Sequence, residues 1–259
     1  MLQDLYAGAI SDAQSREQRL SLKNVEKLAA SAPAALRAKE FLLNDSKIRV
    51  IAEIKRASPS KGKLAEIPDP GELARLYQNT GAGAISILTE GRKFLGSLED
   101  FDAVRSIASI PLLRKDFIAN EYQVLESRAH GADLVLLIAA GLDKKALLRL
   151  KTLVEDLGMS ALIETHNEAE VQLACELGAE LIGINARDLE TFETNRALFT
   201  RLSSLIPAHT ITIAESAVRD VSDVIEYASQ GADCVLVGEA LVTGDAASLL
   251  ATFSNVSKA

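Results

Sequence analysis

The sequence predicts an α/β protein, a closed (β/α)8 TIM barrel carrying an N-terminal helical extension. Three observations lead there. Short apolar runs recur at intervals of roughly 20 to 35 residues, the repeat of a strand–helix unit. Between them lie segments with helical apolar spacing, and four of these end in Gly-Ala just before the next run. The chain has 259 residues, the ordinary size of a one-domain barrel.

The runs are IRVIAEI from Ile48, AISIL from Ala84, IPLL from Ile110, DLVLLIA from Asp133, SALIE from Ser160, ELIGIN from Glu180, TITIAE from Thr210 and DCVLVG from Asp233. They are rich in Val, Ile and Leu with little polar alternation, as strands covered on both faces require. KKALLRLKTLVEDLG and EAEVQLACELG show the helical spacing between them. Gly81-Ala82, Gly131-Ala132, Gly178-Ala179 and Gly231-Ala232 mark helix ends, because glycine tolerates the left-handed conformation there. An open doubly wound sheet usually shows a glycine-rich turn after its first strand. The first strand here runs into KRASPSKGKL, which has no GxGxxG. Residues 1–47 read as the helical extension. No Pro/Ser-rich or low-complexity linker separates them from the barrel, so residues 1–259 are expected to form a single domain.

Composition narrows the function. Apolar residues make up 48% of the chain, enough for a large core, and the net charge is −8. That balance argues against nucleic acid or an anionic membrane as partner, though a local basic pocket still admits a small anionic substrate. The two cysteines, Cys175 and Cys234, do not form a disulfide framework. His130, His166 and His209 join no Cys/His cluster, so no metal site is expected. The N-terminus lacks the basic start and apolar run of a signal peptide, and no stretch reaches the length of a membrane span. A cytoplasmic location is the expectation.

Chemistry in such barrels sits at the C-terminal ends of the strands, and side chains two apart share a face. Glu53 and Lys55 share a face on the first strand, Lys115 and Phe117 on the third, and Asn185 and Arg187 on the sixth. Glu164 ends the fifth and Glu215 the seventh. One such residue is ordinarily a solvated edge. A ring of them, with mixed signs that satisfy one another, points to acid–base chemistry on a polar substrate. Ser58-Pro59-Ser60-Lys61-Gly62 after the first strand and Val237-Gly238-Glu239-Ala240 after the eighth suggest a phosphate site, each weakly.

VIAEIKRASPSKGKL, residues 50–64, closely resembles the signature of the indole-3-glycerol phosphate synthases. SILTEGRKFLGS, LLRKDFI, LIET, GINARDL, AES and VLVGEAL agree with that family in order and spacing. The resemblance covers about residues 48–245; the N-terminal segment resembles the family only as a helical extension, which it implies packs over the mouth. It implies ring closure, decarboxylation and dehydration of 1-(2-carboxyphenylamino)-1-deoxyribulose 5-phosphate in tryptophan biosynthesis, without a cofactor. Lys115 is implied as general acid of ring closure, with Glu53, Lys55 and Glu164 as further acid–base or orienting groups. Asn185, Arg187, Glu215 and Ser216 are implied to hold substrate and lysines. Ser58 and the main chain at Gly238 and Glu239 are implied to bind phosphate, and Phe94, Phe117, Leu136 and Leu189 to surround the aromatic ring. Which lysine and glutamate serve each step stays open.

Ala217 departs from the family pattern, which commonly has glycine there. A carboxylate beside phosphate is unfavourable, so Glu239 is expected to turn its side chain to solvent and bind through its N–H. Two other phosphate-binding barrels are alternatives. A phosphoribosylanthranilate isomerase would use a Cys/Asp pair, and the tryptophan synthase α subunit lacks the EIKRASPSKG segment. A degenerate, non-catalytic barrel is disfavoured by the presence of Lys115 and Glu164. The only expected partner is a phosphorylated small molecule. The chain is expected to be a monomer, or fused to or associated with another tryptophan-pathway enzyme.

Overall fold

The computed structural model describes residues 1–44, 46–188 and 193–258. Its centre is a closed barrel of parallel strands: β1 (Arg49–Ile54), β2 (Ala84–Leu88), β3 (Leu112–Lys115), β4 (Leu134–Ile138), β5 (Ser160–Thr165), β6 (Leu181–Asn185), β7 (Ile211–Glu215) and β8 (Cys234–Val237). Closure comes from β1, which pairs with β2 on one side and with β8 on the other. Every apolar run found in the sequence is a barrel strand.

Three helices precede the barrel: α1 (Leu2–Arg19), α2 (Leu22–Ser31) and α3 (Ala38–Leu42). Those that follow are α4 (Pro70–Asn79), α5 (Leu98–Arg105), α6 (Glu121–Ala129), α7 (Lys144–Asp156), α8 (Glu168–Glu176), α9 (Ala197–Ser203), α10 (Val221–Ser229), α11 (Glu239–Thr243) and α12 (Ala246–Phe253). Asp69, Ser97, Asn120, Asp143, Asn167 and Asp220 each accept a main-chain N–H from the first turn of the helix that follows. These caps satisfy donors that the helix itself leaves unpaired. Gly81, Gly131, Gly178 and Gly231 all have positive φ, as the Gly-Ala pattern predicts.

Strand alternation divides the core in two. Val50, Ile85, Val135, Ile163 and Ile182 face the helices, while Ile51, Leu113, Leu136, Leu162 and Ile213 fill the barrel interior. The extension closes both ends of that interior core. Leu5, Tyr6 and Ala9 of α1 join it beside Phe117 and Ile138, and Ala38 and Leu42 of α3 join it near Cys234. Cys234 Sγ lies 3.5 Å from the Leu42 carbonyl oxygen, which places α3 under the start of β8. Burying a leucine such as Leu42 stabilises by about 1.5–3 kcal/mol.

Arg114, on the outward face beside Lys115, is 1% exposed. Asp116 lies 3.1 Å from its guanidinium and Glu126 2.9 Å. Glu126 also takes Arg16 of α1 at 2.6 Å. This buried network ties α1 and α6 to the strand that carries Lys115. Removing one partner would strand a buried charge and cost about 3–5 kcal/mol.

Candidate active site

The C-terminal mouth opens on a cavity of about 440 Å³. Glu53, Lys55, Lys115, Glu164, Asn185, Arg187 and Glu215 all line it, as do Ser58, Phe94, Phe117, Leu136, Ser216, Gly238 and Glu239. The expected Leu189 lies outside the described residues. Glu53, Lys115, Glu164, Asn185 and Glu215 project from the last residues of their strands. Lys55 lies just past β1, and Arg187, past β6, is held by an isolated bridge to Thr194.

Two lysine–glutamate pairs form the floor. Lys55 Nζ is 2.7 Å from Glu53 Oε1. Lys115 Nζ is 3.1 Å from Glu164 Oε2 and 3.8 Å from Glu215 Oε2. Burial works against the Lys115 charge, but Glu164, Glu215 and Glu53 outweigh it and raise its pKa above the lysine range. Burial likewise works against an ionised Glu164, yet Lys115, His166 and Asn185 hold its carboxyl well below the usual range. Glu215 goes the other way: burial, then Glu164, push it up toward its acid form, with Lys115 opposing. Neighbouring carboxyls with opposite shifts are a mark of acid–base sites.

Polar neighbours fix these groups. Asn185 Nδ2 donates to Glu164 Oε1 at 3.1 Å, and Ser216 Oγ donates to Asn185 Oδ1 at 2.8 Å. The Arg187 main-chain N–H donates to the same Asn185 oxygen at 3.0 Å. Two glycines are shaped by carboxylates. A Cβ on Gly183 would sit 2.0 Å from Glu215 Oε1, and one on Gly238 would sit 2.4 Å from Glu53 Oε1. Gly238 has φ −118°, so its backbone does not require glycine; the room it leaves holds the Glu53 carboxylate.

At the phosphate end the structure corrects the expectation for Glu239. Its carboxylate does not turn to open solvent; it pairs with Lys61 across the cavity rim. The cause is local charge, since Lys61 is the nearest cation and the hairpin of Ala57–Ser58 with Gly62–Lys63 holds its loop over the mouth. Arg187 Nη1 donates to Ser60 Oγ at 3.3 Å, a second tie on that loop. Ser216 and Ala217 have φ 69° and 59°, left-handed conformations rare for residues with a side chain. They turn the chain sharply after β7, and glycine would fit without strain at position 217.

Sequence reasoning missed two residues beside this site. Tyr6 of α1 packs edge-on against Phe117, with ring centroids 5.7 Å apart. His166 lies behind Glu164, its Nε2 3.2 Å from Glu164 Oε1. The signal for His166 was its place two residues beyond Glu164. Tyr6 gave none, because its partner is remote in sequence. Met1, Leu2 and Leu5 also line the cavity, so the extension does pack over the mouth.

A TIM barrel with paired acids and bases at its mouth, and cations at the rim, defines an enzyme for an anionic small molecule. The chain belongs to the indole-3-glycerol phosphate synthase family, whose match runs over residues 2–252 and so takes in the extension as well as the barrel. It is 52% identical over 256 residues to the indole-3-glycerol phosphate synthase of Leifsonia xyli subsp. xyli, covering 99% of this chain and 98% of that one. It is 51% identical over 246 residues to that of Mycobacterium ulcerans, covering 95% and 90%. A solved N-acetylmannosamine-6-phosphate 2-epimerase from Clostridium perfringens has TM-score 0.62 at 14% identity, over 83% of this chain and 94% of that one, a likeness of fold alone. Among the described residues no helix is long and apolar enough to cross a membrane, and no His/Cys/Asp/Glu group is arranged to hold a metal.

Proposed function

We propose that this chain closes the indole ring of indole-3-glycerol phosphate, acting on 1-(2-carboxyphenylamino)-1-deoxyribulose 5-phosphate. The observation that carries the reading is Lys115, cationic between Glu164 and Glu215 in the cavity that Phe94 and Phe117 also line. The ring carbon bearing the carboxylate attacks the ketone, and Lys115 protonates the alkoxide as it forms. Carbon dioxide then leaves, and its bonding electrons restore the aromatic ring. In the dehydration Lys55 protonates the departing hydroxyl, and Glu53, its partner at 2.7 Å, accepts the proton released from carbon. General acid–base help contributes about 10²–10⁴-fold per group.

Phe94, Phe117, Leu136 and Leu189 surround the aromatic ring on this reading. Asn185, Glu215 and Ser216 hold the reacting groups in register, while Arg187, Ser58 and the main chain at Gly238 and Glu239 face the anionic parts. On this reading the enzyme acts on a phosphorylated substrate in the cytoplasm, as a monomer or fused to or associated with another tryptophan-pathway enzyme. The test is direct: incubate the purified chain with that substrate and follow indole absorbance and fluorescence. Growth of both at a rate proportional to protein supports the reading; substrate left unchanged by an excess of folded protein refutes it.

A further inference from the structure

We propose that His166 is a positioning residue, an imidazolium clamped between Glu170 and Glu164 that fixes the Glu164 carboxylate in its orientation and charge for Lys115. The inference rests on the reading that Glu164 and Lys115 work together.

His166 does not line the cavity. It stands behind Glu164, two residues on, where β5 has ended. Its Nδ1 lies 3.2 Å from Glu170 Oε2, and its main-chain N–H donates to that same oxygen at 2.7 Å. Asn167, the cap of α8, donates from Nδ2 to Glu170 Oε1 at 2.6 Å. Glu170 is thus anchored, and it anchors the imidazole. On the other side Nε2 is buried at 3.2 Å from Glu164 Oε1, without a well-formed hydrogen bond to any group.

A carboxylate at each ring nitrogen decides the protonation state. A neutral imidazole carries one N–H and one lone pair. Either tautomer would turn its lone pair on a carboxylate oxygen inside the protein. Only the doubly protonated ring meets both. Burial works against that charge, but Glu164 and Glu170 outweigh it and push His166 up to about 10. The groups around Glu164 are then Lys115 from β3, Asn185 from β6, Glu215 from β7, Tyr6 from α1 and His166 itself. Signs alternate along the row Glu170, His166, Glu164, Lys115. A cation on the far side of Glu164 keeps it ionised without occupying Oε2, the oxygen that faces Lys115.

The test uses the full chain and two readouts. The first is ¹⁵N imidazole NMR, assigned readily because the chain has only His130, His166 and His209. The His166 ring should stay doubly protonated at about pH 8, well above the ordinary histidine value of about 6.5, and should lose that protonation in Glu170→Gln. The second is the split between kcat and KM in His166→Gln, which keeps one hydrogen bond and removes the charge. With the clamp gone the Glu164 carboxylate loses its fixed orientation toward Lys115, so kcat should fall about tenfold or more, with KM changed less than about threefold. A His166 ring that titrates near or below 6.5 overturns the proposal. An unchanged kcat in a folded His166→Gln also overturns it. Glu164→Gln separates the two claims: if that variant keeps wild-type turnover, the role given to Glu164 fails, whatever His166 does. If it is inactive while His166→Gln matches wild type at every pH, only the clamp fails.

Discussion

Gly183→Ala adds one methyl group to the barrel interior. Gly183 sits on β6 opposite Glu164 of β5 and Ile213 of β7. Its missing side chain is where the Glu215 carboxylate lies: a Cβ there would be 2.0 Å from Oε1 and 3.0 Å from Cδ, with Leu162 Cδ1 at 3.4 Å. Ordinary contact begins near 3.4 Å, so the oxygen must retreat by about 1.4 Å. Glu215 is 2% exposed and has Lys115 Nζ 3.8 Å from its other oxygen, so the retreat is passed to Lys115 and Glu164. A displacement of about 1 Å at reacting groups costs about 10²-fold in rate. The expected result is a kcat lower by about that factor, with KM within about threefold. Thermal unfolding sharpens the test. Glycine to alanine in a strand ordinarily stabilises by roughly 0.5–1 kcal/mol, whereas here the variant should gain nothing or lose stability. Glu215→Ala vacates the space, so in that background Gly183→Ala should stabilise. A Gly183→Ala enzyme with more than half the wild-type kcat, or with a stability effect unchanged by Glu215→Ala, would refute the packing argument.

Other perturbations test the remaining parts of the site. Lys115→Met keeps an apolar stem and removes the proton donor, so kcat should fall by at least about 10²-fold; retention of more than a tenth of wild-type turnover would mean another acid. Removal of α1 takes Met1, Leu2 and Leu5 from the cavity wall and should raise KM about tenfold, the equivalent of roughly 1.4 kcal/mol of lost contact; an unchanged KM in a folded truncation would show the helix is not part of the site. Glu239→Gln frees Lys61 for the substrate phosphate and should lower KM by about threefold or less, since an exposed pair contributes about 0–1 kcal/mol. A KM that rises instead would give the carboxylate a binding role of its own.

Much of this was legible in the sequence because barrel strands impose simple rules. Apolar runs covered on both faces have no other ready explanation than a parallel sheet, and Gly-Ala at helix ends located the joints. Alternation placed Glu53, Lys115, Glu164, Asn185 and Glu215 at one mouth. It did not reveal the pairing among them, which depends on distances across the barrel. Glu239 shows the difference. Local reasoning sent its carboxylate to solvent, because the cation that takes it sits far back in the chain, on the loop after β1. Gly238 was read as access for phosphate. The structure gives its missing side chain to Glu53, a contact between the two strands that close the barrel. His166 stands two residues beyond Glu164 in the sequence, but that spacing does not reveal a clamp until Glu170 and Glu164 are seen on both sides of the ring.

On the proposed reading, a site lined with carboxylates must still receive a substrate that bears a carboxylate and a phosphate. Two like charges 4 Å apart repel by about 1 kcal/mol in water and about 4 kcal/mol near a protein surface. The arrangement of signs answers this. Lys55 balances Glu53, Lys115 balances Glu164, and Glu215 is pushed toward its neutral acid form, so the floor carries little net charge. Arg187 and Lys61 line the rim, Lys61 in its pair with Glu239. On this reading the phosphate goes to the rim, where Lys61 can exchange Glu239 for it, and the carboxylate is brought to a floor that does not solvate it strongly. Departure of carbon dioxide removes that carboxylate's charge, so a near-neutral floor favours the step without repelling the substrate at entry. A third ionised carboxylate at position 215 would undo the balance. Burial against Gly183 and the neighbouring Glu164 oppose it, and the same contact makes that glycine a part of the electrostatics as well as of the packing.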